Sequence, residues 1–469
     1  MQREHLVTWA ELPFWSVITL TALILYFGEW QESTVQFLYA GSLLLVMVLL
    51  ISTSGNLLLV SRLGLLFAVG AYPLGVKLIS RDLYFSVFEF NTQTLEITTI
   101  MYALTLLALL GAYWGWRIGS GSRRLHIQPR GLPSFDSYYA TVFCLAVLFA
   151  TLAGALIVAS STGTIFEGAY GTGTEGSPAL GSASAIGSIA ISVMFYCCLV
   201  ARRKAYWWTF AGVVLYLLVW CQVLRGLRQD AVSSIFSCVV LYLMYRQRDL
   251  SIKFKYIFYL LPAFLALELW GLVRSGLSEY LAGELSFQQL LDMGLGNAAL
   301  MPDVIYAGTL GPIATTFANV VALFRWGEVD FIYGISYFDF LLRTPPEFIY
   351  PDRPQDYAAM FADYGLSSGG GFFELAEAYL NFGPLGAVVV PFGISFVIAR
   401  FYSRALTQLN LFYIFALTSL LSVWLRGGWY QTFAFYKSFV SALIMYAVIH
   451  TVAVLFNRRR IGLRAVQGI

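Results

Sequence analysis

Four arginines carry the strongest chemical signal in the sequence: Arg225 and Arg228 in the run RGLRQD, Arg353 in PPEFIYPDRP, and Arg426 in WLRGGWYQ. A guanidinium is permanently charged, and its planar fork binds two oxygens of a phosphate or carboxylate at once. Fixed cations aimed at developing negative charge are worth about 3–4 kcal/mol apiece, judged from lost oxyanion-hole donors. Such a set suits a diphosphate leaving group without calling on a metal. Two carboxylates offer the complementary chemistry. Glu374 and Glu377 are three apart on a predicted helix and share a face, beside Tyr379 and Asn381. A partly buried carboxylate there suits a general base, and it equally suits a pairing that holds Arg426 in place.

The elements that must position these groups are membrane spans. The chain is 59% hydrophobic, 17% aromatic and only 12% charged. That excludes a soluble domain, and a spanning helix needs about 20 apolar residues. Twelve spans are predicted, at 12–30, 35–51, 57–79, 95–116, 136–160, 183–201, 206–224, 231–245, 256–274, 371–401, 410–425 and 432–456. The expected class is all-α, a polytopic membrane protein with no cleavable signal.

Basic residues orient it. Arg117, Arg123, Arg124 and Arg130 fill one gap, Arg202, Arg203 and Lys204 a second, Arg246, Arg248, Lys253 and Lys255 a third, and Arg458, Arg459 and Arg460 follow the last span. All fall on one side when the spans alternate, which places both termini in the cytoplasm. The four chemical arginines then lie outside, against the positive-inside rule, and intramembrane charge is too costly to keep without a use. Lys77, Glu268, Arg274, Glu374, Glu377 and Lys437 also map to the outer half, with Arg62 as the main exception. The cavity they imply opens outward. Arg225 follows a span directly and reads first as a snorkelling side chain. For Arg228, Arg353 and Arg426 the alternative is a salt bridge to a loop carboxylate such as Asp230 or Asp352. Lys437 is either a further diphosphate ligand or an anchor.

Organisation follows in three parts: spans 1–9 over residues 1–274, a long acidic outer loop at 275–370, and spans 10–12 with a basic cytoplasmic tail at 371–469. The loop is expected to carry amphipathic helices at 286–295 and 335–343 that lie on the membrane surface. A second outer gap, 161–182, holds Gly171, Gly173 and Gly176 in GxGxxG spacing, but no βαβ unit can flank it there, so it reads as a flexible loop. The net charge of +3 reflects topology and carries no nucleic-acid signal. The five cysteines (Cys144, Cys197, Cys198, Cys221 and Cys238) sit in apolar spans with neither disulfide nor zinc spacing. His5, His126 and His450 all map inside, so an outer base has to be a carboxylate, with Asp363 of the loop behind the Glu pair.

RGLRQD, TPPEFIYPDRP at 344–354, GGGFFELAEAYLNFGPLGAVVV at 369–390 and LRGG at 425–428 together resemble the Wzy-type polymerases of bacterial O-antigen and exopolysaccharide repeat units. The PxRP element and the helix after the large loop are similar to the branch containing the enterobacterial common antigen polymerase. The resemblance implies a membrane fold of the C-type glycosyltransferase kind in the bacterial inner membrane, with the active site facing the periplasm. It implies an inverting transfer, independent of metal and cofactor, in which undecaprenyl diphosphate carries both donor chain and acceptor repeat. Expected partners are those lipid-linked oligosaccharides, membrane lipids, and a chain-length regulator and flippase of the same pathway. The family arginines carry over onto Arg228, Arg353 and Arg426, with Glu377 and Glu374 as catalytic carboxylates. Arg225, Arg274, Lys437, Tyr379, Asn381 and Tyr430 complete the substrate-binding set. The missing outer histidine departs from the related O-antigen ligases. A lipid-linked oligosaccharide flippase is the rival of another class, although the sequence shows neither the internal repeat nor the two-sided polar path expected of a transporter.

Overall fold

The computed structural model describes residues 2–28, 31–52, 56–79, 95–121, 134–161, 178–201, 204–217, 228–246, 250, 279–280, 283–298, 310–343, 350–354, 357–366, 372–408, 410–424 and 432–467. Among them every regular element is helical, and the chain divides into two compact units. The first comprises Met1–Arg123, Pro302–Ser403 and Arg426–Tyr436; the second comprises Arg124–Met301, Arg404–Leu425 and Lys437–Ile469.

The helices in chain order are α1 (Gln2–Phe27), α2 (Glu32–Ser52), α3 (Leu57–Ile79), α4 (Leu95–Ser120), α5 (Ser134–Ser161), α6 (Pro178–Ala201), α7 (Lys204–Leu217) and α8 (Arg228–Tyr245). They continue as α9 (Phe287–Ala298), α10 (Leu310–Arg325), α11 (Ile335–Leu342), α12 (Tyr357–Asp363), α13 (Glu374–Gln408), α14 (Leu411–Ser422) and α15 (Phe433–Gln467). Six of them, α2, α3, α4, α5, α13 and α15, hold stretches long and apolar enough to cross a membrane. Shorter apolar runs in α1, α6, α7, α8 and α14 fall on five more of the predicted spans, and the ninth, 256–274, lies outside the described residues. The make-up is that of a polytopic membrane protein.

In the first unit α4 is the central element, packing on α1 and α3, with α10 against both α3 and α4. Its glycines Gly111, Gly115 and Gly119 recur every four residues, one face of a helix. A Cβ on any of them would overlap the backbone carbonyl oxygen of Val388, Phe392 or Phe396, respectively. Those partners also recur every four residues, so α4 and the second half of α13 run backbone against backbone along a small-residue seam, as membrane helices do. The second unit is organised on α6, which packs against α5, α7, α8 and α14. Ser234 of α8 donates its hydroxyl to Ser188 of α6 (3.0 Å) across one of those contacts.

Two corrections concern the outer loop 275–370 and the tenth span that follows it. Helices are present as α9 and α11 where amphipathic helices are predicted, and α9 opens with a reciprocal cap: Gln289 N–H donates to Ser286 Oγ (3.2 Å) while Ser286 N–H donates to Gln289 Oε1 (2.8 Å). Yet α10 is not a surface element. Ile313, Ala314, Phe317, Val320 and Val321 are buried, because the apolar run LGPIATTFANVVALFR is too short to span but long enough to pack a face. The tenth span is not one straight helix either. Gly383 sits at φ 61°, ψ −147°, and Pro384 follows it, which breaks α13 into two halves. A Cβ on Gly386 would overlap the carbonyl oxygen of Ala378. Those residues would be about 12 Å apart along an unbroken helix, so the first half, 374–382, folds against the second.

Candidate functional site

The first half of α13 gathers the polar groups of the first unit. Phe372 to Asn381 are all buried, including Glu374, Glu377 and Asn381. Both carboxylates stand in the first turn, where the partial positive charge of the helix N-terminus favours an anion.

Glu374 is held by Arg62 of α3. Nη1 of Arg62 donates to Glu374 Oε2 (2.6 Å) and Nη2 donates to Glu374 Oε1, a two-pronged pair between side chains that are 1% and 0% exposed. The Phe435 ring lies 6.0 Å from the guanidinium carbon. This corrects the placing of Arg62 as an exception remote from the outer carboxylates. Counting residues along straight spans assigns it to the inner end of α3, but the break at Gly383 gives Glu374 its own short helix within reach.

Glu377, one turn on, accepts from Ser336 Oγ of α11 (2.9 Å) at Oε1 and from the backbone N–H of Thr432 (2.9 Å) at Oε2. Asn381 braces the same group, its Nδ2 donating to Ser336 Oγ (2.8 Å) and to the carbonyl of Glu377 (2.7 Å). Burial, and then the Glu377 and Glu374 carboxylates, push the Tyr337 phenol well above its ordinary range, so it remains a neutral hydroxyl. Arg62 Nε and Asn381 Oδ1 are buried without a hydrogen-bond partner among the described residues. Buried polar atoms of this kind take ordered water or a ligand group as partners.

The break itself is satisfied by the chain before α11. Ile332 N–H donates to the carbonyl of Leu380 (3.2 Å) and Tyr333 N–H to that of Asn381 (3.1 Å), which covers carbonyls the interrupted helix leaves open. Tyr333 adopts φ 47° and Gly334 φ 89° to make this turn.

Beside the half-helix is a cavity of about 760 Å³. Its wall is built from the end of α1, the start of α2 and α4, the end of α10 with residues 327–331, and Tyr379. Tyr379 shares a hydroxyl hydrogen bond with Tyr26 (3.0 Å), and Phe324 stacks on Phe331 with centroids 4.7 Å apart. The exposed pair Arg325 to Glu96 lies on the same wall, with Asp330.

The structure thus brings together Glu374, Glu377, Tyr379 and Asn381. Tyr379 lines the cavity; the other three belong to the polar cluster. Arg353 lies half-buried in the turn at 351–354 of the same unit. Arg228 is the first residue of α8 and Lys437 is exposed on α15, both in the second unit. Arg225, Arg274, Arg426 and Tyr430 lie outside the described residues, as does most of the glycine-rich gap. Sequence reasoning missed Arg62, Ser336 and Thr432. The signal for Arg62 was present, since a charge in an otherwise apolar span requires a partner. Compared with known proteins, the chain matches no family model, no curated protein and no solved structure.

Proposed function

We propose that this protein is a membrane-embedded glycosyltransferase of the Wzy polymerase kind, joining undecaprenyl-diphosphate-linked repeat units on the outer face of the bacterial inner membrane. The observation that carries the reading is the bond from Thr432 N–H to Glu377 Oε2. It ties the carboxylate helix to Thr432, which follows the segment of Arg426 and Tyr430 in the sequence. Arg353, from another patch of the family resemblance, lies in the same compact unit.

In the proposed reaction an acceptor hydroxyl oxygen attacks the anomeric carbon of the donor chain from the face opposite the leaving group. The new glycosidic bond forms as the bond to the diphosphate breaks, and the electron pair departs with undecaprenyl diphosphate. Arg353 and Arg426 stabilise that charge. The hydroxyl proton passes to a carboxylate outside the Glu pair, for which we assign the exposed Asp363 of the loop. Because both oxygens of Glu374 and of Glu377 already accept hydrogen bonds, we assign Glu374 and Glu377 the positioning of the half-helix and of the segment before Thr432. The test is reconstitution in lipid vesicles with a purified lipid-diphosphate repeat unit, scoring chain length.

A second reading, transport of the lipid-linked oligosaccharide, draws on the break at Gly383, since interrupted helices also build transporter sites. Movement of the substrate across vesicles without any lengthening would favour it.

A further inference from the structure

We infer that the 760 Å³ cavity beside Tyr379 is a subsite for the sugar rings of the substrate, an inference that rests on the proposed transferase reading. Its volume falls within the range of small-molecule sites, roughly 300–1,000 Å³. Its lining identifies the chemistry. Tyr26, Phe324, Phe331 and Tyr379 form a connected aromatic wall: Phe324 stacks on Phe331, meets Tyr379 edge-on at 5.2 Å, and Tyr379 is bonded to Tyr26. The same lining carries the carboxylates of Glu96, paired with Arg325, and of Asp330.

A pyranose ring presents an apolar face of C–H groups and an edge of hydroxyl donors, which matches a lining that combines aromatic rings with carboxylate acceptors. An acyl chain has no use for two carboxylates and a guanidinium, whose desolvation it would leave uncompensated. A diphosphate is equally unsuited, since Glu96 and Asp330 outnumber Arg325, the one cation among the described lining residues. The lipid diphosphate is therefore gripped elsewhere, and this cavity holds saccharide. Occupancy bears directly on Tyr379, and so on the half-helix that carries Glu374 and Glu377.

The test uses the full chain in lipid nanodiscs and saturation-transfer NMR with short lipid-free oligosaccharides, neutral and N-acetylated. Transfer to sugar ring protons is expected, with affinity reduced about tenfold in Asp330→Asn and in Glu96→Gln. Both changes are at exposed positions and leave the buried cluster intact, and Phe331→Ala provides a third check on the aromatic wall. Absence of transfer from every oligosaccharide, equal binding in all three variants, or displacement by a long-chain fatty acid or inorganic diphosphate would overturn the assignment. If lipid-linked units are still polymerised while no oligosaccharide binds, the subsite alone is lost. If oligosaccharides bind at this wall and no polymer forms, the subsite stands and the transferase reading falls.

Discussion

Arg62 and Glu374, 312 positions apart in the chain, form a two-pronged ion pair buried from bulk solvent. Removing one partner from such a pair leaves an unmatched charge in a medium that cannot solvate it. Arg62→Ala or Glu374→Ala is therefore expected to lower stability by about 3–5 kcal/mol, and the double replacement Arg62→Met with Glu374→Leu by much less. Thermal unfolding of the detergent-solubilised protein checks this. Equal losses in the single and double variants would show that the pair is not coupled.

The close seam between α4 and α13 is testable at one atom. Gly115→Ala adds a methyl against the carbonyl oxygen of Phe392 and is expected to destabilise by about 1–3 kcal/mol. Gly154→Ala, on α5 with nothing within 4 Å of the added carbon, is expected to leave the melting temperature unchanged or slightly raised.

Gly383→Ala probes the break. Its φ of 61° disfavours a side chain, and the new methyl meets the ring of Phe331. A loss of about 1–3 kcal/mol is expected. Polymer formation should fall further than membrane abundance does, because the half-helix with Glu374 and Glu377 is displaced as a unit. Parallel assays of abundance and of chain length separate the two effects.

The sequence made the helices legible because apolar length is a composition signal: the predicted 57–79 is α3 to the residue, and 95–116 is α4 less its last turn. It also showed α9, as the amphipathic stretch 286–295. It did not show that Arg62 and Glu374 meet, because hydropathy places residues along straight spans, and a break at one glycine re-levels everything before it. The run Phe382, Gly383, Pro384 was nevertheless a readable breaker signal. α10 escaped for a related reason, since a 16-residue apolar helix inside an acidic stretch falls below a spanning threshold. Of the site, Glu374, Glu377, Tyr379 and Asn381 were legible from their spacing on one helix. Ser336 and Thr432 were not, because a hydroxyl and a backbone N–H acquire their roles only from tertiary contact.

Glu377→Gln distinguishes a positioning carboxylate from a general base. The amide keeps an acceptor for Ser336 but turns a donor toward the donor N–H of Thr432, a loss of about 1–3 kcal/mol at that contact. Substrate binding and single-turnover rate are expected to weaken together, because the segment before Thr432 is loosened. Unchanged binding with a rate lowered about 10²–10⁴-fold would instead identify Glu377 as the base.

The central claim is tested most directly in proteoliposomes supplied with a purified undecaprenyl-diphosphate repeat unit. The account predicts a ladder of lengthened chains that forms in the presence of chelator, because arginines stabilise the leaving diphosphate. It predicts the ladder is lost in Arg353→Ala and poorly restored by Arg353→Lys, which lacks the planar fork. Substrate that crosses the bilayer without lengthening, or a ladder unchanged in Arg353→Ala at equal abundance, would contradict it.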